Sequence, residues 1–178
     1  MAESFPPLEG TAAHTLILGS MPGQASLDAA RYYAHPRNAF WPIMLAIIQG
    51  LPEASLASAQ AIDYEQRCTL LTASGFALWD VLASCERPGS LDSRIVRSTE
   101  QANDIAALVA RHPQLRCIAC NGRAAEKLLR RHCSESLDTL QQSREQPLRI
   151  VPLPSSSPAM ASLTLAEKHQ RWAAGLLG

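Results

Sequence analysis

Residues 14–23 read His-Thr-Leu-Ile-Leu-Gly-Ser-Met-Pro-Gly, a short apolar run followed by a turn between two glycines. A run of this length and composition is typical of a strand buried on both faces of a sheet. Glycine lets the backbone approach a ligand closely, and a turn here would present free N–H groups at the end of that strand. An ordinary strand-to-loop turn has the same pattern, so both interpretations stay open for this segment alone. The candidate ligand-binding residues of the turn are Gly19, Ser20, Met21 and Pro22.

Strand-like and helix-like segments alternate along the rest of the chain. Short apolar runs bounded by turn residues predict strands at residues 14–19, 77–82, 115–120 and 148–152. Helix-like segments predict helices at residues 38–49, 64–73, 101–111, 122–132 and 164–177. This alternation predicts a three-layer α/β/α fold with a short, mainly parallel central sheet, in a single domain spanning residues 1–178.

The composition is that of a cytoplasmic protein. Hydrophobic residues make up 47% of the chain, but no run approaches the roughly 20 apolar residues that cross a bilayer. The first ten residues, MAESFPPLEG, have neither the basic nor the apolar part of a secretory signal. Five cysteines, an odd number, fit a reducing compartment better than a set of disulfides. We therefore expect a cytoplasmic protein without a membrane partner.

The charged residues are unevenly distributed although the formal net charge is zero. Residues 1–110 contain six Lys or Arg against eleven Asp or Glu, whereas residues 111–178 contain ten against five. Such asymmetry can give a neutral protein one basic face that attracts nucleic acid. Solvated helices that happen to be rich in arginine would give the same counts, so the charges alone do not decide between these explanations.

A second segment, Tyr-Ala-His-Pro-Arg-Asn-Ala-Phe-Trp at residues 33–41, leads into a predicted helix. Asn38 lies where a helix N-cap is expected, and from the same position its carboxamide oxygen could hold a water molecule. An amide is too weak a base to deprotonate that water, so such a site suits a reaction whose leaving group departs early. Tyr33 either packs in the core or stacks on a flat heterocycle, which contributes about 1–3 kcal/mol per base.

Polar residues also follow the other predicted strands. Three hydroxyls among prolines, Ser155, Ser156 and Ser157, either bond phosphate oxygens of DNA or belong to a stiff connector. Asn121 either reads the edge of a base or caps the helix that follows it. Asp80 is a further candidate carboxylate near a strand end, but the sequence offers it no partner.

No metal or cofactor site is indicated by the sequence. Cys117 and Cys120 have the spacing of a metal-binding pair, but residues three apart on a strand face opposite sides of the sheet. The other cysteines and the five histidines form no ligand pattern, and neither a phosphate-binding glycine loop nor a nucleophile elbow is present. We therefore expect an activity that needs no cofactor.

Taken together, the segments GSMPG, YAHPRNAFW, LWDV, RPGSLDS, CNG and LPSSSPA resemble the uracil-DNA glycosylase superfamily, and within it the hypoxanthine-DNA glycosylase branch. These segments occur in the expected order across residues 16–159. The resemblance implies a three-layer α/β fold. It also implies hydrolysis of the N-glycosidic bond of a deaminated base, without metal or cofactor, after the nucleotide is flipped out of the duplex.

The resemblance also implies roles for individual residues. The superfamily's first motif usually carries a water-activating Asp or Asn where this chain has Met21, which cannot polarise water. The hypoxanthine branch places its catalytic Asn in the segment that contains Asn38, and Asn121 matches a second Asn that assists catalysis or base binding. Tyr33 matches the aromatic residue that stacks on the flipped base, while the backbone of the first loop cradles that base. The residues then expected to contact DNA are His35, Arg37, Ser155, Ser156 and Ser157.

The expected function is excision of hypoxanthine, with uracil as a second candidate base, by a monomeric enzyme acting on double-stranded DNA. Single-stranded DNA is a further candidate substrate. A mismatch-specific uracil or thymine glycosylase is the nearest alternative. A DNA-binding module without activity is another, because Met21 replaces the usual catalytic group. A serine hydrolase using Ser20 or Ser156 is disfavoured, since the sequence pairs neither serine with a histidine and an acid.

Overall fold

Strands and helices alternate along the chain in the computed structural model, which describes residues 1–178. The strands are β1 (Ala2–Glu3), β2 (Thr15–Gly19), β3 (Phe76–Asp80), β4 (Leu82–Cys85), β5 (Gln101–Ala102), β6 (Cys117–Asn121) and β7 (Arg149–Leu153). The helices are α1 (Gln24–Ala29), α2 (Phe40–Gln49), α3 (Leu56–Gln60), α4 (Tyr64–Ala73), α5 (Ile105–Arg111), α6 (Arg123–Gln142) and α7 (Leu165–Leu177). None of these helices combines the length and apolar character needed to cross a membrane.

Four parallel strands form the central sheet, in the order β3-β2-β6-β7. All five residues of β2, which lies inside the sheet, are buried, as predicted for a strand covered on both faces. The register pairs Gly19 with Asp80 across β2 and β3, and Asn121 with Leu153 across β6 and β7. The carboxyl ends of the four strands therefore lie at one edge of the sheet, the edge where α/β folds bind ligands.

Side chains of β2 alternate between two apolar layers. Leu16 and Leu18 belong to the layer that contains residues of α5 and α6, whereas Ile17 belongs to the layer that contains residues of α2 and α7. Phe40 is completely buried in the second layer, and burying a phenylalanine contributes about 1.5–3 kcal/mol. Helices thus cover both faces of the sheet, and the predicted three-layer α/β/α fold is confirmed.

A second, antiparallel sheet of three short strands, in the order β1-β4-β5, is absent from the sequence-based prediction. The predicted strand 77–82 divides at Val81 into β3 and β4, which belong to different sheets. β1 pairs with β4, and Leu8 forms an isolated bridge with β3. The first residues of the chain therefore lie along both sheets, which brings Ser4 next to Asp80.

Two helices differ from their predicted bounds, for reasons of capping and packing. α5 begins after the predicted residue 101, because Asp104 caps it by accepting a hydrogen bond from an N–H of its first turn, while β5 occupies the preceding residues. α6 continues beyond the predicted residue 132, since its apolar face extends to Leu137 in the core. The short helices α1 and α3 are too short for an apolar period to predict them.

Gly122 joins β6 to α6 with a φ of 92°, a conformation that favours glycine. A Cβ at this position would lie 3.0 Å from the Cβ of Ser155, in the loop of residues 154–159 that we call the serine loop. Gly122→Ala should therefore lower the free energy of unfolding by about 1–3 kcal/mol, as measured by urea denaturation.

Gly23→Ala is the matched control for this substitution. Gly23 has a φ of −70°, and no atom lies within 4 Å of its Cβ position. The control should therefore change the free energy of unfolding by less than about 1 kcal/mol. Equal stability of the two variants would contradict the strain and crowding assigned to Gly122.

Candidate active site

A cleft of about 290 Å³ opens at the carboxyl edge of the central sheet. The first loop (residues 19–23) lines it together with α1, and the entry loop before α2 (residues 32–39) forms another side. The middle loop (residues 86–100) and the serine loop complete the lining, while Asp80 and Asn121 reach it from strand ends. A volume of this size lies at the small end of ligand pockets and suits one flat ring system.

Asn121, the last residue of β6, joins the entry loop and the serine loop through its carboxamide. Its Nδ2 donates to Tyr33 Oη at 3.0 Å and to Ser156 Oγ at 2.9 Å, and its Oδ1 accepts from the Ser156 N–H at 2.8 Å. The carbonyl of Ser156 in turn accepts a hydrogen bond from the N–H of Ala39 at 2.9 Å. The Asn121 side chain does not cap α6. This geometry makes it a positioning residue, whereas its contact with a base stays a prediction.

Tyr33 forms a fixed wall of the cleft. Its ring stacks on Phe40, with the ring centroids 4.1 Å apart and an interplanar angle of 24°. Burial raises the pKa of the Tyr33 phenol above its ordinary value, so the hydroxyl stays protonated at neutral pH. Its φ of 53° is left-handed, a strain that is common at functional sites. Since Phe40 covers one face of the ring, the other face is the one available to a flat ligand.

Asn38 lines the cleft just before α2. Its Oδ1 accepts a hydrogen bond from the N–H of Phe40 at 2.9 Å, so the side chain does hold the entrance of the helix. The carboxamide has capacity left, because Nδ2 donates to no atom of the protein and Oδ1 can accept a second hydrogen bond. The N-cap residue of α2 is Ala39, one residue after the position predicted for the cap, so Asn38 holds the Phe40 N–H from just outside the helix. The rest of its carboxamide can bind a water molecule in the cleft at the same time.

The first loop is held by Arg87, which sequence reasoning did not single out. The guanidinium donates to the carbonyls of Met21, at 3.4 Å, and of Pro22, and the side chain is 1% exposed. The N–H groups of Ser20 and Met21 donate to no acceptor within the protein. These two groups are therefore free to bind a ligand, as the glycine-flanked turn predicts.

Two carboxyl groups line the cleft beside the first loop. Asp80 is 3% exposed, its Oδ2 accepts from Ser4 Oγ at 3.0 Å, and burial raises its pKa to about 7. Asp92 lies 3.7 Å from Arg87 and remains partly exposed. Partial desolvation raises the pKa of Asp92, while the Ser20 hydroxyl and Arg87 favour its charged form. The partner of Asp80 comes from the first residues of the chain, where no local pattern reveals it.

The predicted DNA-contacting residues fall into three groups. His35, Ser155 and Ser157 line the cleft and are half-buried. Ser156 is 1% exposed, so its hydroxyl faces Asn121 rather than the surface. Arg37 is exposed and lies outside the cleft, beside a smaller cavity of about 190 Å³. The structure therefore brings together the first group and separates Arg37 from it.

The cysteine pair singled out in the sequence lies on β6 with its side chains in opposite apolar layers. Cys117 packs in the layer with Ile17, and Cys120 packs in the layer with Leu18. One ion cannot bind both thiols in this arrangement. No cluster of three or more His, Cys, Asp or Glu side chains with metal-binding geometry occurs in the structure.

Part of the positive charge in residues 111–178 is neutralised by ion pairs. Arg111, Arg130 and Arg131 pair with Glu9, Glu126 and Glu100, respectively. The count of basic residues therefore overstates the charge that this half of the chain presents to a partner.

Comparisons with known proteins identify the family to which the chain belongs. The family model of the uracil DNA glycosylase superfamily matches residues 6–174. A hypoxanthine DNA glycosylase of Methanosarcina barkeri is 33% identical over 121 residues, which cover 68% of this chain and 71% of the relative. A hypoxanthine DNA glycosylase of Methanosarcina acetivorans is 36% identical over 129 residues, which cover 71% of this chain and 76% of the relative.

The fold has a solved counterpart as well. A solution NMR structure from Methanosarcina acetivorans is similar with a TM-score of 0.72 and 31% identity, covering 97% of this chain and 94% of that one. The family model and the two named relatives confirm the family and the enzyme class that the sequence motifs predict. The chain therefore belongs to the uracil DNA glycosylase superfamily.

Proposed function

We propose that this protein is a DNA glycosylase that removes hypoxanthine from DNA, with uracil as a second substrate. The two Methanosarcina relatives that bear the name hypoxanthine DNA glycosylase support this substrate. The observation that carries the proposal is one cleft lined by an aromatic ring, free backbone N–H groups and the Asn38 carboxamide. Hydrolysis of a base–sugar bond needs these parts: a stacking surface, donors for the leaving base and a position for water.

In this mechanism the damaged nucleotide leaves the duplex and its base enters the cleft. The ring of Tyr33 stacks on the base, and the N–H groups of Ser20 and Met21 stabilise negative charge that develops on it. Asn38 holds the water whose oxygen adds to C1′ as the sugar becomes oxocarbenium-like. The bond between C1′ and the base nitrogen breaks and its electron pair stays with the base; overall the water loses one proton and the free base gains one.

Other polar residues position the DNA and the base. Asn121 acts through its neighbours, since its carboxamide holds Tyr33 and the serine loop in place. The hydroxyls of Ser155 and Ser157 bond phosphate oxygens next to the lesion, contacts that set the register of a protein on DNA. His35 and Arg37 extend this contact along the backbone, and the positive charge left unpaired in residues 111–178 adds longer-range attraction.

The proposal also covers the oligomeric state of the enzyme, the strandedness of its DNA substrate and its location in the cell. The protein acts as a monomer with one domain, because a single chain supplies every side of the cleft. Double-stranded DNA is its main substrate, and single-stranded DNA, whose bases are already unpaired, is a second one. The setting is the cytoplasm, in keeping with five free thiols.

Oligonucleotides that carry a single inosine, uracil, xanthine or mismatched thymine test the proposed function directly. Each is incubated with the enzyme as a duplex and as a single strand, and abasic sites are then cleaved with alkali. We expect the largest yield of abasic product from inosine. A preference for uracil or thymine opposite guanine would instead identify a mismatch-specific glycosylase. Binding without abasic product would identify a DNA-binding module.

Asn38→Ala tests the assignment of the water-binding residue. Excision under single-turnover conditions should slow by about 10²-fold or more, while binding to the duplex persists, because an interaction made in the transition state is lost. Rates are measured on an inosine duplex with enzyme in excess, and binding by fluorescence anisotropy. A rate near that of the wild type would overturn the assignment.

Ser55→Ala is a control for the loss of a side-chain hydrogen bond at the start of a helix. The Ser55 side chain caps α3 by accepting a hydrogen bond from the Ser58 N–H at 3.2 Å, and Ser55 does not line the cleft. A side-chain hydrogen bond of this kind is worth about 1 kcal/mol, so both variants should lose a similar amount of stability in thermal denaturation. Only Asn38→Ala should lose excision activity; equal losses of activity would indicate that the lost stability alone accounts for the effect.

Substitutions of Tyr33 separate its ring from its hydroxyl. Tyr33→Ala removes the stacking surface and should slow excision by roughly 10- to 100-fold, the equivalent of about 1–3 kcal/mol per stacked base. Tyr33→Phe keeps the ring and its contact with Phe40, so its rate should stay within about 10-fold of the wild type. Single-turnover rates on the inosine duplex measure both. A Phe variant as slow as the Ala variant would contradict stacking as the role of this residue.

A further inference from the structure

The carboxyl of Asp80 is buried in the cleft and has no role in the proposed hydrolysis. Its Oδ2 accepts a hydrogen bond from Ser4 Oγ, whereas its Oδ1 accepts none from the protein. Oδ1 is not completely buried and keeps some contact with solvent. Since Asp80 lines the cleft, the free oxygen is accessible to a molecule bound there.

The Asp80 carboxyl lies next to the groups that hold the base. It is paired with Gly19 across β2 and β3, at the start of the first loop. A Cβ on Gly19 would contact Asp80 Oδ1 directly and would lie 3.0 Å from Tyr33 Oη. The absence of a side chain at residue 19 therefore lets the carboxyl approach the backbone of the first loop and the stacking ring. A base held between this loop and Tyr33 would have the carboxyl at its edge.

The charged and titratable groups around Asp80 come from two other segments. The middle loop contributes Asp92, which disfavours the charged carboxylate, and Arg87, which favours it. The entry loop contributes Tyr32 and Tyr33, whose phenols stay protonated because burial raises their pKa values. Burial is the largest effect on Asp80 and raises its pKa to about 7. The protonated acid is therefore well populated at neutral pH, where a general acid works best.

We propose that Asp80 is the general acid that protonates the leaving base, an inference that rests on the proposed function. Asp80 gives its proton to an unprotonated ring nitrogen of the purine while the bond from the base to C1′ breaks. The electron pair of that bond stays with the base, which leaves as a neutral molecule. The water held by Asn38 forms the new bond to C1′ and releases its proton to solvent, and solvent returns a proton to the Asp80 carboxylate.

Proton transfer from Asp80 would give the departing base a proton, which the other residues of the proposed mechanism do not supply. The amide of Asn38 cannot remove a proton from water, so the reaction depends on stabilising the departing base. Backbone N–H groups can share negative charge on the base but cannot neutralise it by proton transfer. A carboxylic acid can, and it remains within the same cleft as the N–H donors. General acid catalysis typically accelerates such steps by about 10²–10⁴-fold.

Asp80→Asn is the first test, because asparagine keeps an oxygen for Ser4 and removes the transferable proton. Single-turnover excision from an inosine duplex is measured with saturating enzyme between about pH 5.5 and pH 9. The wild-type rate should fall as the pH rises through about 7, toward a tenfold loss per pH unit, since the acid form disappears. Asp80→Asn should be about 10²-fold slower at pH 6 and should show no such fall. A variant with the wild-type rate and slope would overturn the inference.

Ser4→Ala provides a second test that leaves the acid in place. The hydrogen bond from Ser4 favours the charged carboxylate, so its loss should raise the pKa of Asp80 further. The fall in rate should then move to higher pH, so that the variant keeps activity at a pH where the wild type has lost it. A merely structural role for the contact would lower the rate equally at every pH, and a midpoint identical to the wild type would overturn the inference.

Thermal denaturation shows whether the Asp80 variant is folded. A folded-state pKa above the unfolded value means that ionisation destabilises the fold as the pH rises from about 4 to about 7. Asp80→Asn should therefore gain melting temperature relative to the wild type at pH 8 and not at pH 4. Failure of the proposed function has a different signature: wild-type enzyme would then release no base from any of the four lesions. Activity of the wild type with an unaltered pH profile in Asp80→Asn overturns the role of Asp80 alone.

Discussion

The hydrogen bonds of the Asn121 carboxamide are the contact on which the cleft depends. One side chain at the end of β6 holds Tyr33 and both the N–H and the hydroxyl of Ser156. A buried polar group left without its partner costs about 1–3 kcal/mol, so losing the amide would destabilise two loops at once. Because the Ser156 carbonyl also binds the Ala39 N–H, the serine loop fixes the entrance of α2, where Asn38 lies. Asn121 thus sets the positions of the Tyr33 ring and, through the serine loop, of the segment that carries Asn38.

The sequence predicted much of this arrangement because its signals are local. Buried parallel strands are short apolar runs, and their polar successors must lie at one edge of the sheet once the strands are parallel. Gly19, Asp80 and Asn121 therefore meet at the cleft as residues at strand ends. Asn38 shows why local reasoning left two roles open: its oxygen holds the Phe40 N–H at the start of α2, and the rest of its carboxamide still faces the cleft.

The features that the sequence did not predict depend on distant partners. β1 and β5 have two residues each, too few for a period, and they exist because β4 pairs with both. The Ser4 hydroxyl meets Asp80 only after that sheet has formed. Arg87 binds backbone carbonyls of the first loop, and carbonyls carry no sequence signature. Arg37 is the reverse case: its neighbours in the sequence line the cleft, but its own side chain points out to solvent.

In the proposed mechanism, more polar groups of the cleft face the departing base than face the attacking water. Two free N–H groups and the Asp80 carboxyl lie on the side of the first loop, whereas the candidate for binding water is an amide. Burial disfavours the charged form of Asp80, as is common where a site needs desolvated polar groups. This proposed division of roles between the first loop and Asn38 also explains why Met21 can stand in the first loop. In the proposed mechanism a residue that cannot polarise water is acceptable there, because Asn38 positions the water from the entrance of α2 and the first loop needs only its backbone to hold the base.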